Sequence, residues 1–234
     1  MIALPHKDIL EGRLTMDVFA ADLWNVFKGE AVDDYKNPDS FFQKTYPTFG
    51  LRNLLKIAGK RLRSEGGDSV IQIQTPFGGG KTHSLIALYH AFSTGKYVED
   101  AIKANVVVIV GTAISPKEEN GKITGTIWGE IERQLEGEVK ELDLSVSPGR
   151  DKLEELFRKH QPLLILMDEV LQYTTKAAGI KVGDSNLASQ TMAFMQELTE
   201  CVKSLKKTLL VLTLPSSIIE HYDESAEKLF VQLQ

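Results

Sequence analysis

Thr75-Pro76-Phe77-Gly78-Gly79-Gly80-Lys81-Thr82 lies between an apolar run, Val70-Ile71-Gln72-Ile73, and a helix-like run beginning Leu85-Ile86-Ala87-Leu88. A strand, a glycine-rich turn ending in Gly-Lys-Thr and a helix, in that order, form the setting of a phosphate-binding P-loop. Successive glycines take dihedrals that other residues avoid, which lets several N–H groups converge on one anion. The helix start behind them adds the positive end of its dipole. In that reading Lys81 reaches the terminal phosphates and the Thr82 hydroxyl sits on a magnesium ion. Thr75 stands where the first glycine of the G-x-x-x-x-G-K-[ST] pattern belongs, so the formal motif fails by one residue. An ordinary glycine-rich turn ahead of a helix carries the same triplet, and the rest of the chain has to decide.

Downstream, Val106 to Val110 and Leu163 to Met167 are continuous apolar runs, which suit strands buried on both faces of a parallel sheet. The second ends in Asp168-Glu169, the other signature of a nucleotide site. A further run, Leu209 to Leu214, leads into Pro215-Ser216-Ser217. Helical periodicity covers Lys81 to Ser93, Thr126 to Glu136, Asp151 to His160 and Asn186 to Lys207, and Ile218 to Gln234 is helix-like too. Four strands alternating with helices predict an α/β three-layer sandwich around a mainly parallel sheet. Ligands of such sheets bind beyond the carboxyl ends of the strands. The glycine turn, Asp168-Glu169 and Ser216 all fall just past strand ends, so separate motifs converge on one edge.

Each of these residues has an expected task. Magnesium prefers oxygen ligands, and Thr82, the phosphates and an outer-sphere Asp168 supply them. Glu169 is placed to orient and deprotonate a water, although Asp168-Glu169 would also serve as a plain helix N-cap pair. A polar residue at the tip of the Leu209–Leu214 strand would sense the γ-phosphate. Ser216 is the first candidate, with Thr213 and Ser217 behind it, and a simple turn around Pro215 fits as well. No arginine follows Arg158, and nothing singles out Arg133, Arg150 or Arg158 as the charge-stabilising arginine expected in such sites. A neighbouring subunit of a homo-oligomer, or a continuation of the chain, would then supply it.

Ahead of the first strand, residues 1–64 read as a helical extension packing on a core of residues 65–234. Met16 to Lys28 places Val18, Phe19, Leu23, Trp24 and Phe27 on one helix face. Asn37-Pro38-Asp39 reads as a turn with Ser40 as the following cap. A basic amphipathic run from Gly50 carries Arg52, Lys56, Lys60, Arg61 and Arg63, either a solvated face or a surface for a partner's phosphates.

The 234 residues carry a net charge of −5, which gives no general basic field for nucleic acid. A single cysteine, Cys201, excludes a disulfide framework. No charged start followed by an apolar stretch marks a signal peptide, and no run is long enough for a membrane span, so a cytoplasmic protein is expected.

With these blocks in place, the chain resembles an AAA+ type P-loop ATPase, and more narrowly the large prokaryotic ATPases of the domain of unknown function 499 family. The likeness rests on Phe41 to Thr48 with Gly50-Leu51, on Thr75 to His83, on Gly111-Thr112-Ala113-Ile114-Ser115-Pro116, on Thr126 to Glu130 and on Asp168 to Tyr173. The family shares the missing leading glycine. The resemblance implies ATP contacts from Pro76, Phe77, Gly78, Gly79, Gly80, Lys81, Thr82 and His83, and adenine packing around Tyr46 to Leu51. It also implies a magnesium cofactor and work on or near DNA, beside DNA-modifying or phage-defence proteins. Family members are longer, so these residues are expected to be an N-terminal part whose helical lid and second sensor lie elsewhere. Three functions are weighed: an ATPase that remodels DNA or a DNA-bound assembly, a nucleotide-dependent switch or scaffold with little turnover, and a small-molecule P-loop kinase. The kinase would want an arginine-bearing lid that is not visible.

Overall fold

A computed structural model describes residues 21–75, 78–99, 101–142, 144–215 and 224–233. The first described element is α1 (Leu23–Lys28), started by Asp22, whose carboxylate accepts from the Asn25 N–H at 3.0 Å. Asp22 is extended, so the helix begins at Leu23, inside the expected Met16–Lys28 run; residues 16–20 lie outside the described residues. After α2 (Asp33–Lys36) comes α3 (Pro38–Lys44). Its cap is Asn37, not Ser40: the Asn37 Oδ1 accepts from the N–H groups of Asp39 and Ser40. Pro38 takes the first helical position, where its missing donor costs nothing. Thr48 caps α4 (Phe49–Leu62), accepting from the Leu51 N–H at 3.2 Å.

The sheet begins with β1 (Val70–Thr75), and α5 (Lys81–Thr94) follows the glycine turn. Then come β2 (Asn105–Val110), β3 (Lys117–Glu119), β4 (Lys122–Thr124), α6 (Ile127–Glu136) and α7 (Arg150–Lys159). Next are β5 (Leu163–Asp168), α8 (Val170–Ala177), β6 (Lys181–Val182), β7 (Ser185–Asn186) and α9 (Leu187–Ser204). β8 (Thr208–Pro215) and α10 (Glu224–Leu233) close the described chain. The polar stretch Lys117 to Thr124 forms the β3–β4 hairpin. Its turn, Asn120-Gly121, has positive φ at both residues, the geometry that joins two twisted strands with two residues.

Four strands form one wholly parallel sheet in the order β1-β8-β5-β2. Alternation along each strand divides its side chains between two cores. Leu164, Leu166, Leu209 and Val211 join α1, α3, α4 and α5 on one face, while Leu163, Ile165, Met167, Leu210 and Leu212 join α6 to α10 on the other. Burial on both faces is why β5 and β8 read as unbroken apolar runs. The N-terminal helices share the first core: Leu23, Phe41, Leu51, Leu55 and Leu62 pack with Leu85 and Leu88 of α5. Arg61 ties them to the sheet, its guanidinium donating to the carbonyls of Val202, Leu205 and Thr208 at 2.9, 2.6 and 3.0 Å. Those carbonyls end α9 and begin β8, so one side chain satisfies acceptors that the helix leaves open. β2 is an edge strand. The Gln134 amide of α6 completes it, accepting from the Val108 N–H at 2.9 Å and donating to the Val108 carbonyl at 2.7 Å. Among the described residues, no helix is long and apolar enough to cross a membrane.

Candidate functional site

The carboxyl ends of β1, β5, β8 and β2 lie along one edge, and each contributes to a single place. The turn after β1 puts Gly78 at φ +77° and Gly80 at φ +75°, and a Cβ built at either meets nothing within 4 Å. That leaves an open backbone cradle against the first turn of α5. Gly80 sits at the N-cap of α5 with no side chain to cap it, so its first N–H groups are left for a ligand. Lys81 folds back over the turn, and its ammonium donates to the Thr75 carbonyl at 3.0 Å. Pro76 and Phe77 lie outside the described residues.

Asp168 ends β5 and is 4 % exposed, so its carboxylate requires partners. It has two. The Thr82 hydroxyl donates to Oδ2 at 2.8 Å and the Thr213 hydroxyl donates to Oδ1 at 2.5 Å. Thr213, near the end of β8, therefore stands between the ends of β1 and β5, as the sheet order requires. Ser216 and Ser217, expected as the first and an alternative sensor, lie outside the described residues.

Glu169 separates its two expected roles. It occupies the N-cap position of α8, yet its side chain caps nothing. Its backbone is left-handed at φ +53°, a conformation that costs a non-glycine residue about 1–2 kcal/mol. The carboxylate turns instead to Thr112, whose hydroxyl donates to Oε2 at 2.7 Å. Gly111 makes this approach possible. Its N–H donates to the Asp168 carbonyl at 2.9 Å, and a Cβ there would lie 2.0 Å from the Glu169 carbonyl oxygen. Lys176 of α8 gathers the turn after β2 by donating to the carbonyls of Gly111, Thr112 and Ile114.

The glycine turn, Lys81, Thr82, Asp168, Glu169 and Thr213 line a cleft of about 620 Å³. Tyr35 and His83 line it too. His83 meets the Thr45 hydroxyl at 3.0 Å and lies 4.7 Å from the Phe41 ring, and burial lowers its imidazole pKa. Tyr46 to Leu51, expected around adenine, do not line the cleft: Tyr46 and Phe49 are exposed and Leu51 is in the core. A hollow of similar size along the free edge of β1, lined by Gln72, Met192 and Leu233, gathers no comparable set of ionisable groups. No group of three or more His, Cys, Asp or Glu gathers among the described residues, so a divalent ion would have Thr82, Asp168 and substrate oxygens to bind.

The family model of the DUF499 N-terminal domain matches residues 5–104 and 96–232. The chain belongs to the DUF499 family. Comparison with curated proteins finds no match.

In this DUF499 chain, Gly78, Gly79, Gly80, Lys81, Thr82, His83, Asp168 and Glu169 meet in one cleft. The arginines do not. Arg133 is paired with Glu130, and Arg150 and Arg158 both pair with Glu154. Sequence reasoning missed Thr112 as the partner of Glu169, Lys176 as its clamp and Tyr35 as a wall. Thr112 had a signal, since it follows a strand end on the ligand edge of the sheet. Tyr35 had none, because only packing of the N-terminal helices on α5 brings it to the cleft.

Proposed function

We propose that the chain is an AAA+ type P-loop ATPase that binds ATP with magnesium in this cleft and hydrolyses it to remodel DNA or a DNA-bound assembly. The observation that carries the reading is the double engagement of Asp168 by Thr82 and Thr213 beside the glycine cradle. A hydroxyl on the first turn after a glycine loop, joined to a buried carboxylate at a strand end, is a set of hard oxygen donors suited to magnesium. The strand order adds support. β8 lies between β1, which leads into the glycine turn, and β5, which ends at Asp168, an arrangement expected of ATPases with a sensing strand rather than of small-molecule kinases.

The residues present fit the ligand. The N–H groups of Gly78 to Lys81 and the α5 dipole would face the phosphates. Lys81 would exchange the Thr75 carbonyl for a phosphate oxygen. Thr82 and Asp168 would hold the ion, which when bound lowers the charge repulsion on the phosphates. Glu169 would accept the proton of a water whose oxygen bonds the γ-phosphorus while the bond to the ADP leaving oxygen breaks. Thr112 keeps that carboxylate in place, and the Thr213 hydroxyl, accepting from the Glu169 N–H at 3.4 Å, links it to the sensing strand.

A second reading, a nucleotide-dependent switch with little turnover, is favoured by one observation: among the described residues, no arginine lines the cleft. One experiment separates the readings. ATP affinity and phosphate release are measured for the chain, for Lys81→Ala and for Glu169→Gln, with and without DNA. Lys81→Ala should lose ATP, and Glu169→Gln should keep ATP and lose turnover. Tight ATP binding by the Lys81 variant would sink the proposal, and binding without turnover in the unmodified chain selects the switch.

A further inference from the structure

The exposed face of α4 joins charge and aromatic surface in a way that the cleft does not use. Its buried side is Leu51, Leu55, Ala58 and Leu62. At 100° per residue, Phe49, Arg52, Asn53, Lys56 and Lys60 fall together on the opposite side, and all five are exposed. Arg52, Lys56 and Lys60 follow one another at four-residue spacing, about 6 Å per step along the axis. The helix contains no Asp or Glu, and among the described residues none of these three cations forms an ion pair. The nearest acid along the chain, Glu65, lies past the helix end and pairs with Arg63, with Lys60 acting on it only through its charge. At the other end, Tyr46 and Phe49 are 82 % and 80 % exposed, the most exposed large hydrophobic side chains described.

An exposed phenyl ring loses free energy in water, and two beside a cationic ridge mark a surface that something covers. A lipid surface would want a continuous apolar face, which α4 lacks on this side. An acidic protein segment would use the cations and leave the rings idle. A single nucleic-acid strand uses both, with phosphates on a cationic track and unstacked bases on aromatic faces.

We propose that Tyr46, Phe49, Arg52, Lys56 and Lys60 form a docking surface for single-stranded nucleic acid. The surface is distinct from the cleft but starts beside it, because Thr45, next to Tyr46, contacts His83 of α5. It deepens the proposed coupling to DNA and rests on that reading only for what binding achieves; the surface can be tested without ATP.

The test is fluorescence anisotropy of labelled oligothymidine with the full chain across a salt series. Arg52→Gln/Lys56→Gln/Lys60→Gln should weaken binding and reduce the slope of log K against log salt by about 2, from three lost phosphate contacts. Phe49→Ala should weaken binding about tenfold and Phe49→Trp should restore it, since a base needs a ring to stack on. Both variants should bind ATP as the unmodified chain does, which also shows that they fold. The proposal is overturned if the triple variant keeps the original affinity and slope, or if Phe49→Ala binds normally. It is overturned equally if polyglutamate displaces the oligonucleotide charge for charge, the outcome for an acidic protein partner. If the unmodified chain binds oligothymidine through this stripe but not ATP, the cleft reading fails and this one stands.

Discussion

The Thr82 hydroxyl donates to the Asp168 carboxylate at 2.8 Å, joining residues that are 86 positions apart in the chain. Asp168→Asn keeps the shape but replaces one accepting oxygen by a donor, which cannot receive the Thr82 or Thr213 hydroxyl as before. We expect magnesium-dependent ATP affinity to fall about 10- to 100-fold, as for loss of a group that orients a metal ligand. Affinity measured in chelator should hardly change. Calorimetric titrations with and without magnesium give both numbers, and an equal loss in both would remove the ion from the role of Asp168.

The Thr112–Glu169 contact predicts a kinetic split. Thr112→Ala deletes the hydroxyl that fixes the Glu169 carboxylate without touching the glycine loop. We expect kcat to fall about tenfold, part of the roughly 10²- to 10⁴-fold that a positioned general base contributes, with KM unchanged. Thr112→Ser should restore the rate because it retains the donor. A rise in KM alone would show that Thr112 acts on binding rather than on the base.

Gly111 is required for space. A methyl group there would drive into the backbone of Glu169, and backbone yields less readily than a side chain tip. Gly111→Ala should therefore cost about 1–3 kcal/mol, the range for overpacking. It should also abolish turnover by displacing Glu169. Chemical denaturation and phosphate release test the two effects separately, and a stable, active variant would contradict the geometry.

Gln134 substitutes for a missing strand at the β2 edge. Gln134→Leu fills similar volume but leaves the Val108 N–H and carbonyl without their partner. The expected loss is about 1–3 kcal/mol for unsatisfied, partly buried groups. Nucleotide affinity should stay constant, because the contact lies away from the cleft. A urea titration showing no change in midpoint would refute it.

Burial lowers the pKa of both His83 and His90. The folded chain thus binds fewer protons than the unfolded chain near and below the ordinary histidine value of about 6.5. Stability rises with pH where the unfolded state holds more protons, so this contribution is complete above that value. It is lost as pH falls from there through the folded values. His83→Phe, set among Phe41, Tyr35 and Thr45, should flatten part of the decline in melting temperature between about pH 7.5 and 5.5. An identical decline in the variant would place the pH dependence elsewhere.

The amino-acid sequence determined the elements and their class. Apolar runs at Val106–Val110, Leu163–Met167 and Leu209–Leu214 leave no choice but strands covered on both faces, and that forces helices onto both sides of a parallel sheet. Gly78 to Thr82 and Asp168-Glu169 were legible as polar and glycine-rich turns just past strand ends, and the structure gathers them in one cleft. Asn120-Gly121 likewise carries the local signature of a two-residue hairpin turn.

Tertiary structure alone decided which groups meet. Nothing local links Thr112 to Glu169, Thr213 to Asp168 or Tyr35 to His83, because each pair depends on strand order or on how the N-terminal helices pack. It also decided what Glu169 does. As letters, Asp168-Glu169 serves equally as a helix cap; in the fold the left-handed backbone of Glu169 points its carboxylate away from capping and toward Thr112. Side-chain chemistry is written in the sequence, while its direction follows from backbone geometry that only the assembled sheet imposes.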